Sequence, residues 1–294
     1  MKKTGYVALV GWPNAGKSTL LNHLVGQKIS ITSRRPQTTR HRIHGIKTCE
    51  RGQIIYVDTP GIHGSEKRAM NRYLNRTATN ALLGVDVVVW VVDRWSWLPE
   101  NDLLLEQLRN APCPVILAIN KVDQCEDKAL LLPFLEDVSK RFEFAEIIPV
   151  SALRAINLEL LEEKILDLLP EGDPIYPEDQ ITDRPERFFA AEIIREKLIR
   201  SLGQEVPHAI TVQIEQYQEE KGMIRIHAVI WVEREGQKVI VIGKQGEVMK
   251  KVGQRARESL ERMLDRKVYL NLWVKVKKGW SDNERALQSL GYTD

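Results

Sequence analysis

Residues Gly11–Thr19 read GWPNAGKST, a glycine loop with the spacing G-x-x-x-x-G-K-[ST]. An apolar run, YVALVG, precedes it, and the helical pattern KSTLLNHLV follows. A loop in that position offers backbone N–H groups and a helix amino terminus to phosphate oxygens. Gly11, Asn14, Ala15, Gly16, Lys17, Ser18 and Thr19 are the residues expected around a triphosphate. Lys17 supplies positive charge to the β- and γ-phosphates, and the Ser18 hydroxyl is a ligand for Mg²⁺.

Two more motifs stand at the ends of apolar runs. In VDTPG, Asp58 is placed to reach the Mg²⁺ shell and the Gly61 N–H to meet a γ-phosphate. In NKVD, Asn120, Lys121 and Asp123 follow PVILAI. A carboxylate in the plane of the base accepts from the N1–H and exocyclic amine of guanine. Adenine has neither donor there and leaves the carboxylate unpaired. The three motifs together favour GTP over ATP and weigh against a metabolic ATPase. SAL, with Ser151 and Ala152, ends the last such run and is expected to close over the base.

Between Ser18 and Asp58 lies the polar segment SRRPQTTRHR, a candidate switch loop ordered by γ-phosphate and Mg²⁺. Thr39, with Thr38 as the alternative, is expected to offer its hydroxyl to the metal. The arginines and His41 read as a solvated loop. Lys17, Thr39 and Gly61 form the expected catalytic set. Ile62 follows Gly61 where many GTPases carry a water-orienting glutamine, and the neighbouring His63 reads as a surface residue, so slow hydrolysis is expected.

A second glycine loop, GKQG (Gly243–Gly246), opens a helix bearing Lys250, Lys251, Arg255, Arg257 and Arg262. From Arg234 to Gly279 there are 13 Lys/Arg against 5 Asp/Glu, whereas the rest of the chain is acidic. That concentration points to a polyanionic partner. A G-x-x-G loop between helices admits a sugar-phosphate backbone, because no Cβ stands in the way. The expected RNA-contacting residues are Gly243, Lys244, Gln245, Gly246, Lys250, Lys251 and Arg255. Val248, Met249, Val252, Ala256, Leu260, Met263 and Leu264 fall near helical spacing and are expected to face this region's own core. Trp231, Trp273, Val274 and Val276 are expected in the core as well. Trp280 is the one aromatic considered for RNA or for docking the final helix.

The elements that must position these residues are legible in outline. YVALVG, GQIIYVDTP, VDVVVWVVD, PVILAINK and EIIPVSA are apolar throughout and alternate with helical stretches. That pattern defines an α/β, mostly parallel, doubly wound sheet. It ends near Leu169, and PEGDPIYPEDQITDRPE (170–186), with four prolines, reads as a linker. Beyond it come a helix (187–201), the strands AITVQIEQY and MIRIHAVIWVE, the glycine loop, a helix over 247–264, the strand VYLNLWVKVK and a short last helix. That order indicates a smaller α+β domain over 187–294. Cys49, Cys113 and Cys125 are odd in number without C-x-x-C pairing, which argues against a disulfide framework or zinc site. The amino terminus reads as a strand and the longest apolar run is too short to span a bilayer. A cytoplasmic protein is expected.

The chain resembles the Era family of bacterial GTPases nearly end to end. The resemblance rests on GWPNAGKST, ISITSRRPQTTRHR, YVDTPGIH, NKVD, ITDRPERFFAAEIIREKL, VEREGQKVIVIG and LWVKVKKGWSDNERALQSLGY. It implies a P-loop GTPase domain (1–169) followed by a type II KH domain. It further implies GTP, GDP and Mg²⁺ as ligands, and binding near the 3′ end of small-subunit (16S) rRNA during 30S maturation. The hydrophobic Ile62 is typical of that class. Trp12 stands where the family often has Arg, and Ala15 where Val is frequent. In potassium-activated relatives an asparagine at the position of Asn14 helps hold K⁺ against the phosphates. The alternative is that Asn14 only fixes the loop. A signalling GTPase with a protein or membrane partner is the competing function.

Overall fold

The structure is a computed structural model that describes residues 2–33, 35–61, 68–93, 97–125, 129, 131–203 and 209–292. The chain divides into two compact units, Met1–Glu66 with Leu74–Asp183, and Lys67–Tyr73 with Arg184–Asp294.

The first unit is built on a six-stranded sheet of order β2-β3-β1-β4-β5-β6. Its strands are β1 (Lys3–Val10), β2 (Ile43–Cys49), β3 (Gly52–Asp58), β4 (Val87–Val92), β5 (Val115–Ile119) and β6 (Glu146–Pro149). All neighbours pair in parallel except β2, which runs antiparallel to β3 at the edge. Every residue of β3, β4 and β5 is buried, as expected for strands covered on both faces. The unit's helices are α1 (Lys17–Val25), α3 (Pro99–Arg109), α4 (Leu131–Ser139) and α5 (Leu158–Leu168), while α2 (Ala69–Asn80) is divided between the units at Tyr73. Trp90 is buried in a core built from alternate residues of β1, β4 and β5 against α3 and α4. The parallel register aligns Leu9 with Asp58, Val10 with Trp90, and Val92 with Ile119. The carboxyl ends of β1, β3, β4 and β5 therefore share one edge, where open α/β sheets bind ligands.

The proline-rich stretch expected as a linker lies along this unit as far as Asp183. Thr4 N–H donates to Pro170 O at 3.0 Å, Gly172 N–H to Lys2 O at 3.0 Å, and Ile46 N–H to Ile181 O at 2.9 Å. The buried Gln53 side chain fastens the middle of the stretch. Its Oε1 accepts from the N–H groups of Ile175 and Tyr176, both at 2.9 Å. Its Nε2 donates to Thr48 Oγ1 at 3.0 Å and to Tyr176 O at 2.8 Å.

The second unit contains α6 (Glu186–Ser201), β7 (Thr211–Glu220), β8 (Met223–Val232), α7 (Glu235–Ile242), α8 (Glu247–Leu264), β9 (Lys267–Val276) and α9 (Glu284–Ser289). Its sheet has the order β7-β8-β9, with β7 antiparallel and β9 parallel to β8. One core unites Ile194 and Leu198 of α6, alternate residues of β8, Val241 of α7, and Val252, Ala256 and Leu260 of α8. The four-residue spacing in α8 turns one stripe inward and leaves Lys250, Lys251, Arg255 and Arg257 exposed. Met263, expected inward, is 37% exposed because it falls off that stripe. Buried charges of α6 are paired locally: Arg195 donates twice to Glu192 at 2.7 and 2.6 Å, and Glu196 meets Lys197 and Arg200 at 3.1 Å.

Replacing the buried Gln53 with Leu removes all four hydrogen bonds that its side chain makes to Thr48, Ile175 and Tyr176. The full chain is expected to lose about 2 kcal/mol of stability, read as a lower urea midpoint, and to become cleavable between 170 and 183 under limited proteolysis. A wild-type midpoint and cleavage pattern would refute this role.

Candidate nucleotide site and nucleic-acid interface

The loop between β1 and α1 folds around Lys17. This side chain is buried, and its Nζ donates to Gly11 O at 2.8 Å and Trp12 O at 3.0 Å. Burial pushes its pKa down to about 8, against the pull of the Asp58 and Asp93 carboxylates. At the end of β3, burial pushes the Asp58 carboxyl up, while the Lys17 charge and hydrogen bonds from Ser18, Ser30 and the Thr59 backbone oppose it. Ser18 Oγ and Ser30 Oγ donate to Asp58 Oδ2 at 2.8 and 2.9 Å. Thr39 Oγ1 lies 2.8 Å from Ser18 Oγ.

Ser18, Thr39 and Asp58 thus present three adjacent oxygen-bearing side chains, and Asp58 Oδ1 is buried with no hydrogen-bond partner among the described residues. That donor set suits a hard divalent cation such as Mg²⁺. Thr38 Oγ1, the alternative hydroxyl, bonds within its own loop to Ser33 and Arg35 O, whereas Thr39 Oγ1 lies beside Ser18. Arg40 departs from the expected solvated loop. It is 1% exposed, with Nε donating to Gln37 O at 3.4 Å.

Close approach dictates two glycines. A Cβ on Gly16 would lie 2.1 Å from Asn120 Nδ2, and one on Gly61 would lie 2.7 Å from Pro13 N and Cγ. Ile62 and His63 lie outside the described residues. Asn14 takes a left-handed conformation (φ 67°). Its side chain is exposed and makes no hydrogen bond among the described residues.

The motif after β5 ties the loops together. Asn120 Nδ2 donates to Ala15 O at 2.7 Å, and Asn120 Oδ1 accepts from Ala152 N–H at 2.9 Å. Lys121 Nζ donates to Asn14 O at 2.8 Å and to Asp93 Oδ2 at 2.7 Å. Ser151 Oγ donates to Asp123 Oδ1 at 2.5 Å, so the serine orients the carboxylate that would read the base. Gly11, Asn14, Ala15, Gly16, Lys17, Asn120, Lys121, Asp123, Ser151 and Ala152 are in this way brought to one sheet edge. Thr19 lies beside Ser18 in the first turn of α1.

Ser30 and Asp93 escaped the sequence reading. Asp93 directly follows β4 as Asp58 ends β3, a strand-terminal carboxylate that is a usable signal. Ser30 has no such signal. Its position depends on Asn22 of α1, whose Oδ1 accepts from Ile29 and Ser30 N–H and whose Nδ2 donates to Ser30 O, all within 2.9 Å.

In the second unit, α7 and α8 are joined by GKQG. Gly243 and Gly246 both have φ 77°, and Gln245 between them has φ 51°. Lys244, Gln245, Lys250, Lys251 and Arg255 are exposed. Val239 and Ile240 of α7 are exposed beside the loop, at 69% and 51%. Trp273, expected in the core, is 55% exposed. In β9, Val268, Leu270, Leu272, Val274 and Val276 turn to the core, so period two sends Trp273 to the other face. Trp231, on the corresponding face of β8, is only partly buried. Trp280 is fully buried and stacks on Tyr292 (6.2 Å, 17°), which removes it from any RNA role and makes it the anchor of the chain beyond α9.

A phosphate loop, two strand-terminal motifs and the Asp123 carboxylate hydrogen-bonded to Ser151 on a doubly wound sheet, followed by a helix–GKQG–helix unit on a three-stranded sheet, define a P-loop GTPase joined to a type II KH domain. Residues 6–121 match the profile of the 50S ribosome-binding GTPase family, and residues 205–281 that of the KH domain. The chain is 56% identical to GTPase Era of Ectopseudomonas mendocina over 294 residues, all of this chain and 98% of that protein. It is 58% identical to GTPase Era of Pseudomonas fluorescens over 292 residues, covering 99% and 97%. Two solved structures are similar at 41% identity. One is an Aquifex aeolicus Era variant bound to GDP·AlF4⁻ (TM-score 0.96, covering 99% of this chain and 100% of that one). The other is Era in complex with MgGDPNP and nucleotides 1506–1542 of 16S ribosomal RNA (TM-score 0.97, 100% of both chains). The chain belongs to the Era family of GTPases.

Asn120→Ala is expected to lower GDP affinity by roughly tenfold to a hundredfold in calorimetric titration. Gly16→Ala acts on the same amide, so the double variant should be little worse than either single one. Fully additive losses would show that the two act separately.

Proposed function

We propose that the chain is a GTP-dependent switch that binds single-stranded 16S rRNA near its 3′ end and assists 30S subunit assembly. The observation that carries this reading is the pairing of two chemically distinct glycine loops in one chain, one in a GTP site and one at the start of a helix with an exposed basic face. The similar Era structure holding nucleotides 1506–1542 of 16S rRNA supports the choice of RNA.

In this reading residues 1–169 form the GTPase domain, 170–186 the linker, and 187–294 the KH domain. The backbone of Gly11–Thr19 cradles the phosphates, Lys17 neutralises charge on the β/γ oxygens, and Gly61 N–H meets the γ-phosphate. Ser18, Thr39 and Asp58 hold Mg²⁺, which offsets charge developing on the phosphate oxygens. Asn120 and Lys121 hold the phosphate loop beneath the nucleotide, while Asp123, oriented by Ser151, selects guanine, and Ala152 lies against the base. Turnover is slow without a stimulating partner. The GKQG backbone and Lys244 receive the RNA phosphates, with Gln245, Lys250, Lys251 and Arg255 alongside. The protein acts as a monomer in the cytoplasm, with any membrane contact peripheral. No helix among the described residues is long and apolar enough to cross a membrane.

Gly243→Asp combined with Gly246→Asp is expected to abolish binding of a single-stranded 16S 3′-end oligonucleotide while leaving basal GTP hydrolysis within about twofold of wild type. Undiminished RNA affinity would instead favour a signalling GTPase with an adaptor domain. We further propose that the exposed Asn14 side chain helps hold K⁺ against the phosphates. Hydrolysis should then be faster in K⁺ than in matched Na⁺ buffer, and Asn14→Ala should remove the difference. Equal rates in the two buffers would rule the ion out.

A further inference from the structure

The three-stranded sheet of the second unit uses only one face for its core. The inward residues of β8 are Ile224, Ile226, Ala228, Ile230 and Val232, packed with α6 and α8. The outward row of β9 and its extension reads Lys267, Tyr269, Asn271, Trp273, Lys275 and Lys277. That row holds two aromatics and an amide among basic residues, with no aliphatic side chain and no acid.

Neighbouring strands complete the surface. Register pairs Arg225 with Tyr269, Val229 with Trp273 and Trp231 with Lys275. Val229 is fully buried although it lies on this outer face, so its neighbours cover it. Trp231 is held in place by its Nε1–H, which donates to Gln213 Oε1 at 2.9 Å. The Arg225 guanidinium stands 5.3 Å from the Tyr269 ring centroid, and Lys275 and Lys277 Nζ each stand 5.8 Å from that of Trp231. Acids do approach: Glu220 pairs with Arg225 at 2.6 Å and Glu215 with Lys275 at 3.2 Å. Lys277 Nζ donates to the Ser289 hydroxyl at 2.9 Å.

Large aromatics left 45% (Tyr269) and 55% (Trp273) exposed on a strand are unusual unless something covers them. An aromatic face rimmed by cations suits unstacked bases whose phosphates run beside it. Met223, paired with Lys267 at the end of the outward row of β8, adds an exposed apolar side chain (39%) at the rim of this face. The GKQG loop lies on the core side, where α7 packs beside β9; because β9 is the edge strand, a chain leaving that loop reaches the outer row by passing one strand edge.

We propose that this outer face, centred on Trp273 and Tyr269, is a second contact surface for single-stranded RNA that continues the strand held at GKQG. Each aromatic stacks one base, and Lys267, Lys275 and Lys277 meet the backbone. This rests on the RNA-binding function proposed above.

The test uses the full chain and two oligonucleotides of 16S 3′-end sequence, one of about four nucleotides, which fills the G-x-x-G groove, and one about three times longer. Tyr269→Ala with Trp273→Ala removes exposed groups and should leave folding intact, checked by an unchanged thermal midpoint. This variant is expected to weaken the longer RNA by tenfold or more, as loss of base stacking does, and to leave the short one unchanged. Trp273→Phe, which keeps a stacking ring, should restore most of the loss when Tyr269 is intact. Wild-type affinity of the double alanine variant for both RNAs would overturn the proposal, while binding by wild type and its loss on Gly243→Asp with Gly246→Asp would leave the primary function standing. Failure of the wild type to bind either RNA would refute both. Unchanged RNA affinity together with lost binding to the 30S subunit would assign the face to a protein and equally overturn the proposal.

Discussion

The buried amide of Asn120 sits where three loops meet, and the geometry of the nucleotide site depends on its two hydrogen bonds. One holds the carbonyl of Ala15 in the phosphate loop, and the other holds the N–H of Ala152 in the loop after β6. A buried amide with both ends satisfied fixes its neighbours more firmly than an exposed one, because leaving either group unpaired carries its desolvation penalty. The requirement for glycine at position 16 follows, since a Cβ there would occupy the space of the amide nitrogen. Lys121 adds a second tie from the next residue, to Asn14 O and Asp93. The loop that carries Asp123, the loop after β6 and the glycine loop after β1 are therefore tied to one another through adjacent residues.

Within the site the charges are arranged for a highly charged ligand. Lys17 is buried among carbonyl oxygens that compete weakly with a triphosphate, and burial already disfavours its charge. Asp58 is disfavoured by burial in the same sense. Two buried opposite charges with incomplete pairing are an expense in the free protein that polyphosphate and a divalent cation relieve. This gives a physical reason for Ser30, which adds a hydrogen bond to Asp58 and steadies it before ligand arrives.

The parts legible in the sequence were those with local signatures. Apolar strands ending in Asp58 and Asn120 announced a parallel sheet and its ligand edge together. β2 was not legible because Ile43–Cys49 is half polar and pairs only at an edge, with Gly45 placed where a Cβ would strike Ile29 and Leu21 at 2.7 Å. KVIVI of α7 has the composition of a strand, yet it forms helix because tertiary packing outweighs propensity in so short a run. Arg40 looked solvated because nothing in a polar loop marks which cation the fold will bury. Trp273 has the size of a core residue, but the period-two alternation of β9 sets it on the face opposite Val274 and Val276.

The two glycine loops reach their sequences by different constraints. At Gly16 the glycine serves a neighbour inside the protein, and the backbone is closed over by Asn120. At GKQG the two glycines divide the work. A Cβ on Gly243 would lie 2.4 Å from Val248, so that residue is fixed by packing against the start of α8, whereas a Cβ on Gly246 would meet nothing within 4 Å. Gly246 is demanded by its left-handed backbone alone, and the space above it stays open. A substitution to a large acidic side chain at Gly246 would therefore reach into that open space, where a ligand backbone would lie, while the same change at Gly243 would first disturb the helix. The first loop is closed over by its own protein at Gly16, whereas the second stays open to the outside at Gly246.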